Sequence, residues 1–173
     1  MLLDYYLTIW AAIKREQGLQ KFISIENYEL NPVWKDTIKS RKLFNPKHIL
    51  GILVTTLFLY YLIELDDDDI ASSMFFMGSF IGAYGMIIGR HISNLFIFYF
   101  VISNSNCISG NISLDNKYML YTSLFQFLSA TTPLVFIAMV YQKPFVIGSA
   151  CGSFFIILAH VIWIRKNNKG SKA

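Results

Sequence analysis

Ile70 to Ile102 reads IASSMFFMGSFIGAYGMIIGRHISNLFIFYFVI, and this stretch decides the fold. A helix needs roughly 20 apolar residues to cross the hydrocarbon core of a bilayer. Ile70 to Gly89 supplies them; the chain then passes Arg90 and His91 and stays apolar as far as Ile102. A soluble core helix of this length would carry a polar stripe, and this one does not. Nor does it alternate with the two-residue period of a transmembrane β-strand. It reads as a membrane span.

Three more stretches behave the same way. Ile49 to Ile63 (ILGILVTTLFLYYLI) is short, but Pro46 to His48 and Glu64-Leu65 extend it. Met119 to Tyr141 is interrupted by Gln126 and by Thr131-Thr132-Pro133, and Phe145 to Ile164 (FVIGSACGSFFIILAHVIWI) is the most uniform. The 173 residues are 54% hydrophobic, 16% aromatic and only 15% charged, whereas soluble domains carry about a quarter charged residues. That excludes a disordered chain, a disulfide scaffold and a soluble nucleic-acid binder. The class is an all-α integral membrane protein with four transmembrane helices.

The net charge of +4 is informative only when read by side. Basic residues from Lys14 and Arg15 to Lys42 and Lys47 precede the first span, and Arg165, Lys166, Lys169 and Lys172 follow the last. The connection after the first span is acidic (Glu64, Asp66, Asp67, Asp68, Asp69), and the last connection contains only Lys143. Cytoplasmic loops carry the Lys and Arg excess, so both termini and the connection from Ser103 to Lys117 are expected in the cytoplasm, with the protein in the cell membrane. Cys107 in that connection and Cys151 in the fourth span cannot meet, and reduced thiols are expected.

Three regions follow: 1–45, a cytoplasmic or interfacial amphipathic element; 46–166, the transmembrane domain; and 167–173, a basic tail. Leu2 to Ile13 is apolar but holds Asp4 and is followed by Lys14-Arg15, a pattern of an amphipathic helix rather than a secretory signal. Phe22 to Ile25 reads as extended. Asn31-Pro32 and Asn45-Pro46 are helix starts, with Asn as cap and Pro at the first helical position. The first predicts a helix from Pro32 to about Phe44. Trp10, Trp34 and Tyr5-Tyr6 are expected at the headgroup level.

The small residues are the most specific signal. Gly78, Gly82, Gly85 and Gly89 fall on one helical face of the second span. Gly148 and Gly152 repeat the spacing in the fourth, with Ser149 and Ser153 beside them. Such faces let helices approach closely in lipid. They predict packing of the second span on the fourth; a subunit interface or a pore-lining hinge would use the same glycines.

Ionisable residues within a membrane are costly and mark functional sites. Arg90-His91 is the pair in question, and Arg90 is expected at the inner interface, facing a lipid phosphate or Asp115. A single helix from Ile70 to Ile102 would run about 50 Å, and its apolar end would need the N-terminal element to cover it. His48, His91 and His160 all fall near the inner leaflet. They show no local ligand spacing, so neither a metal nor a cofactor is expected. Gln126, Thr131 and Thr132 are placed to satisfy backbone freed by Pro133, or to line a polar path.

No catalytic motif is present: HExxH, GxSxG, a Walker loop and CxxC are all missing, and no enzyme is expected. The Asp66 to Asp69 run lacks the turn glycine of a calcium loop; it can cap the second span or form an acidic ring at a pore mouth. Two functions fit: a homo-oligomeric channel or transporter for small ions or solutes, or a non-catalytic accessory, assembly or anchoring subunit of a membrane complex. The expected partners are the lipid bilayer, anionic headgroups at the inner face and a second copy or another membrane protein.

Overall fold

The computed structural model describes residues 1–25, 37–38, 40–64, 70–107 and 109–170. The acidic run Asp66 to Asp69, the Asn31-Pro32 cap and Trp34 lie outside the described residues. The chain forms helix α1 (Leu2–Gln17), strand β1 (Ile23–Ile25), α2 (Pro46–Glu64), α3 (Ile70–Ser103), β2 (Ile112–Leu114), α4 (Asn116–Tyr141) and α5 (Pro144–Gly170). The last four helices are long and apolar enough to cross a membrane.

Local chemistry explains the boundaries. Asn45 Oδ1 accepts from the Lys47 amide at 3.0 Å and caps α2, and Asp115 Oδ1 accepts from the Tyr118 amide at 2.7 Å and caps α4. Gln142 ends α4 in the left-handed region at φ 47°, and Pro144 starts α5 immediately. The helix expected from Pro32 to Phe44 does not reach Phe44. Thr37 and Ile38 are helical, and Arg41 then turns left-handed at φ 51°. The Arg41 amide bonds to the Ile38 carbonyl at 3.0 Å and the Lys42 amide to the Thr37 carbonyl at 3.4 Å, the pair of bonds of a Schellman ending. This reversal lets the chain enter α2.

α3 is one continuous helix of 34 residues, about 51 Å long at 1.5 Å per residue. That exceeds a ~30 Å hydrocarbon core, and α1 covers one side of the excess. Leu7 and Ala11 of α1 form a buried cluster with Leu95, Phe98 and Val101 of α3. Around it, Tyr5, Ile9 and Ala12 pack against Ile38, and Arg41 pairs with Glu16. β1 pairs with β2 in parallel, Ile23 opposite Ile112, which ties the N-terminal segment to the α3–α4 connection. Tyr5 therefore does not face headgroups: it is buried, stacked on His48 with centroids 4.5 Å apart. Trp10 stays half exposed beside Tyr99.

The most extensive helix contact is α3 on α5. A Cβ built on Gly78 would overlap the Phe145 carbonyl, and one on Gly82 would overlap that of Ser149. The relation is mutual: Gly148 abuts the Phe75 carbonyl and Gly152 that of Ser79. The partners advance together along both helices, so α3 and α5 run parallel with backbones in contact, the close approach that small residues permit in lipid. By contrast α2 is peripheral. His48 is its one buried residue among those described, and Phe58 reaches α3 at Phe76.

Candidate functional site

The α3–α5 crossing and the docking of α1 leave a cavity of about 180 Å³. Its walls carry Asp4 of α1, His48 of α2, Arg90 and His91 of α3, and His160 of α5. Arg90 lies 20 residues beyond the start of α3, about 30 Å along the axis. That distance is one hydrocarbon thickness, so a bilayer entered at Ile70 would have its far interface at the level of the cavity.

Two hydrogen-bond chains organise the walls. Arg90 Nη1 donates to Ser123 Oγ at 2.6 Å, and Ser123 Oγ lies 3.0 Å from His160 Nε2. His160 Nδ1 is 3.0 Å from the Ile156 carbonyl, which can only accept. Nδ1 therefore carries a proton, and in the neutral ring Nε2 accepts from the Ser123 hydroxyl. Phe127 flanks both side chains, 4.9 Å from the His160 ring and 5.4 Å from the Arg90 guanidinium. On the other wall His91 Nε2 is 3.1 Å from Asp4 Oδ1 and 3.1 Å from Thr8 Oγ1. The Thr8 hydroxyl donates to the Asp4 carbonyl at 2.9 Å. His91 is 3% exposed, and its Nδ1 has no hydrogen-bond partner among the described residues.

No resemblance to a known protein accompanies this site. The chain matches no protein-family model, no curated protein and no solved structure.

The candidates from the sequence divide into groups. Gly78, Gly82, Gly148 and Gly152 are occupied by contacts within the chain. Gly85 and Gly89 share their face but touch nothing: no atom lies within 4 Å of a Cβ built on either. They line a second space, a cleft between α3 and α4, together with Arg90 and Gln126. Thr131 is buried and its hydroxyl has no partner among the described residues. Thr132 Oγ1 bonds the Leu128 carbonyl at 2.9 Å, the carbonyl one turn back, and not the Ser129 carbonyl that Pro133 frees. The proposed partner of Arg90, Asp115, instead caps α4. Among the described residues no three His, Cys, Asp or Glu side chains are grouped to hold a metal ion.

Asp4 and Ser123 were not singled out by the sequence, and His48 and His160 were weighed there only with His91 as histidines near the inner leaflet, not as partners of Arg90. A signal for part of the set is present in it. Phe75-x-x-Gly78-Ser79-x-x-Gly82 in α3 recurs as Phe145-x-x-Gly148-Ser149-x-x-Gly152 in α5. Even the serines behave alike, Ser79 bonding the Phe75 carbonyl and Ser149 the Phe145 carbonyl, each at 2.9 Å. At the same offset Arg90 corresponds to His160 and the capping Asn45 to Asp115. The hairpins α2–α3 and α4–α5 thus follow one pattern, and equivalent positions of the two central helices meet at the cavity.

Proposed function

We propose that this chain is a small membrane transport protein, not an enzyme, that accepts a small ion or polar solute in the Arg90–histidine cavity. The observation that carries this reading is the convergence of Asp4, His48, Arg90, His91 and His160, from four helices, on one cavity. Packing alone does not call for five ionisable side chains around one cavity. The matched hairpins support it further. Transporters are commonly built from repeats, with the substrate site where the repeats meet. The volume suits a solute of few atoms.

The orientation is part of the proposal. α1 and the β1–β2 pair lie at the end of the bundle where α3 and α5 finish. The basic residues flanking the spans cluster at that end, which makes it cytoplasmic and the cavity an inner station. Any subunit contact in a homo-oligomer would use a face other than the four packed glycines.

One observation favours the accessory reading. α2 is held by few contacts and leaves Leu50, Leu53, Val54 and Leu57 exposed, a face that a helix of a larger membrane complex can cover. Flux separates the two. Purified protein in liposomes should release trapped small ions or solutes, and Arg90→Gln should cut that flux at least tenfold. Absence of flux for every solute tested, from well-folded protein, transfers the case to the accessory reading.

A further inference from the structure

Arg90 lines two spaces, and the second has a ligand chemistry of its own. The cleft between α3 and α4 measures about 850 Å³, within the roughly 300–1,000 Å³ of ligand clefts. Gly85, Met86 and Gly89 form its α3 floor, and Phe125 and Phe127 stand on the α4 side. Among the described residues Arg90 is the charged residue of this lining, and no carboxylate is part of it.

Glycine inside a helix is a conformational liability. At Gly78, Gly82, Gly148 and Gly152 a backbone contact accounts for it. Gly85 and Gly89 have no such contact, and both are exposed. Their effect is to keep a trough open beside aromatic and apolar walls. Arg90 stands in this trough with one hydrogen bond to the described residues, from Nη1 to Ser123. Its Nε is shielded from solvent and has no partner among the described residues.

We propose that this cleft holds one anionic phospholipid of the surrounding leaflet, its phosphate on Arg90 and an acyl chain over Gly85 and Gly89. The trough runs along α3 from Ser93 to Gly85, about 12 Å at 1.5 Å per residue, from the interface toward the bilayer interior. Arg90, Ser93 and Thr122 then lie at the level of lipid phosphates, with a planar guanidinium and hydroxyls to donate to phosphate oxygens. A choline or ethanolamine headgroup would bring a cation into a cleft that offers no carboxylate. A headgroup without that cation is the better match.

The test uses the full chain in detergent, with native mass spectrometry and thermal shift read against added phosphatidylglycerol, phosphatidylcholine or inorganic phosphate. Wild-type protein should retain one phosphatidylglycerol at concentrations roughly fivefold below those for phosphatidylcholine, and inorganic phosphate should not displace it. Arg90→Gln should erase the preference. A Cβ at Gly89 or Gly85 has open space around it, so Gly89→Leu and Gly85→Leu place their side chains in the trough; they should keep the lipid-free melting temperature and lose the retained lipid. Equal retention of both lipids by the wild type overturns the proposal. So does undiminished retention by the glycine variants, or displacement by inorganic phosphate. None of these readouts depends on flux, so the lipid site and the transport function stand or fall separately.

Discussion

Arg90 and His160 occupy equivalent positions of α3 and α5 and share one hydroxyl, Ser123 Oγ, at 2.6 and 3.0 Å. The shared atom belongs to α4, so a single serine ties the two central helices to a third. Ser123 is 3% exposed, and water is poorly placed to substitute for it.

Ser123→Ala should therefore leave the half-buried Arg90 guanidinium and the buried His160 imidazole each short of a partner. A lost hydrogen bond to a charged group costs about 1–3 kcal/mol. The melting temperature in detergent should fall by several degrees, and flux in liposomes should fall with it. Ser123→Thr keeps the hydroxyl and should lie between the wild type and the alanine variant. A Ser123→Ala protein as stable and active as the wild type would remove this link from the site.

The glycines divide into two functional sets that a stability measurement can separate. Gly82→Leu and Gly152→Leu force a side chain into a carbonyl of the facing helix. Overpacking costs about 1–3 kcal/mol, occasionally more, and here it pushes apart the main helix contact. At Gly85 an added Cβ meets nothing within 4 Å, and Gly85→Leu should not lower the melting temperature. Equal loss from all three substitutions would mean that α3 and α5 are not packed as described.

The sequence alone located the spans because length and hydropathy set them. Pro46–Glu64 begins at the proline that Asn45-Pro46 marks, and Pro144–Gly170 begins one residue before the expected span from Phe145. It also stated the condition that a single long helix needs its apolar end covered, and Leu7 and Ala11 meet that condition on Leu95 and Phe98. What could not be read was which distant residues share a wall. Asp4 reaches His91 only because α1 folds back over α3, and no local pattern encodes that return. His160 was legible in principle, through the recurrence of Phe-x-x-Gly-Ser-x-x-Gly, but glycine spacing by itself is common to packed helices in lipid. The division of the glycines into packed and open sets depends on where α5 crosses, which periodicity does not fix.

Tyr5 gives the docked α1 element a pH signature. It lies outside the membrane spans, and burial, reinforced by Tyr6, raises its phenol above the ordinary value of 10.0. Its hydroxyl donates to the Lys42 carbonyl. A raised folded pKa means the fold favours the protonated form. The contribution is complete below the unfolded value and is lost as pH climbs through the folded one. The melting temperature should thus drop as pH rises above about 10. Tyr5→Phe should start lower, by about 1 kcal/mol for the missing bond, and show the shallower alkaline decline. Identical slopes for the two proteins would dissociate Tyr5 from the effect.

The orientation can be tested with the two native thiols and one added. Cys107 ends the turn Ser105–Cys107 beyond α3, on the same side of the bundle as α1. Cys151 is a free thiol within α5, half-buried beside Gly152. With the basic end in the cytoplasm, a membrane-impermeant maleimide should label neither residue in intact cells. After permeabilisation Cys107 should react rapidly, and Cys151→Ala should leave that signal unchanged. Gln142→Cys sits in the short turn between α4 and α5, at the opposite end, and should label in intact cells. Labelling of Cys107 before permeabilisation, with Gln142→Cys protected, would turn the whole molecule over. The Arg90 cavity and the lipid cleft would then belong to the outer leaflet, because α1, the β1–β2 pair and the cavity are fixed to one another and must invert together.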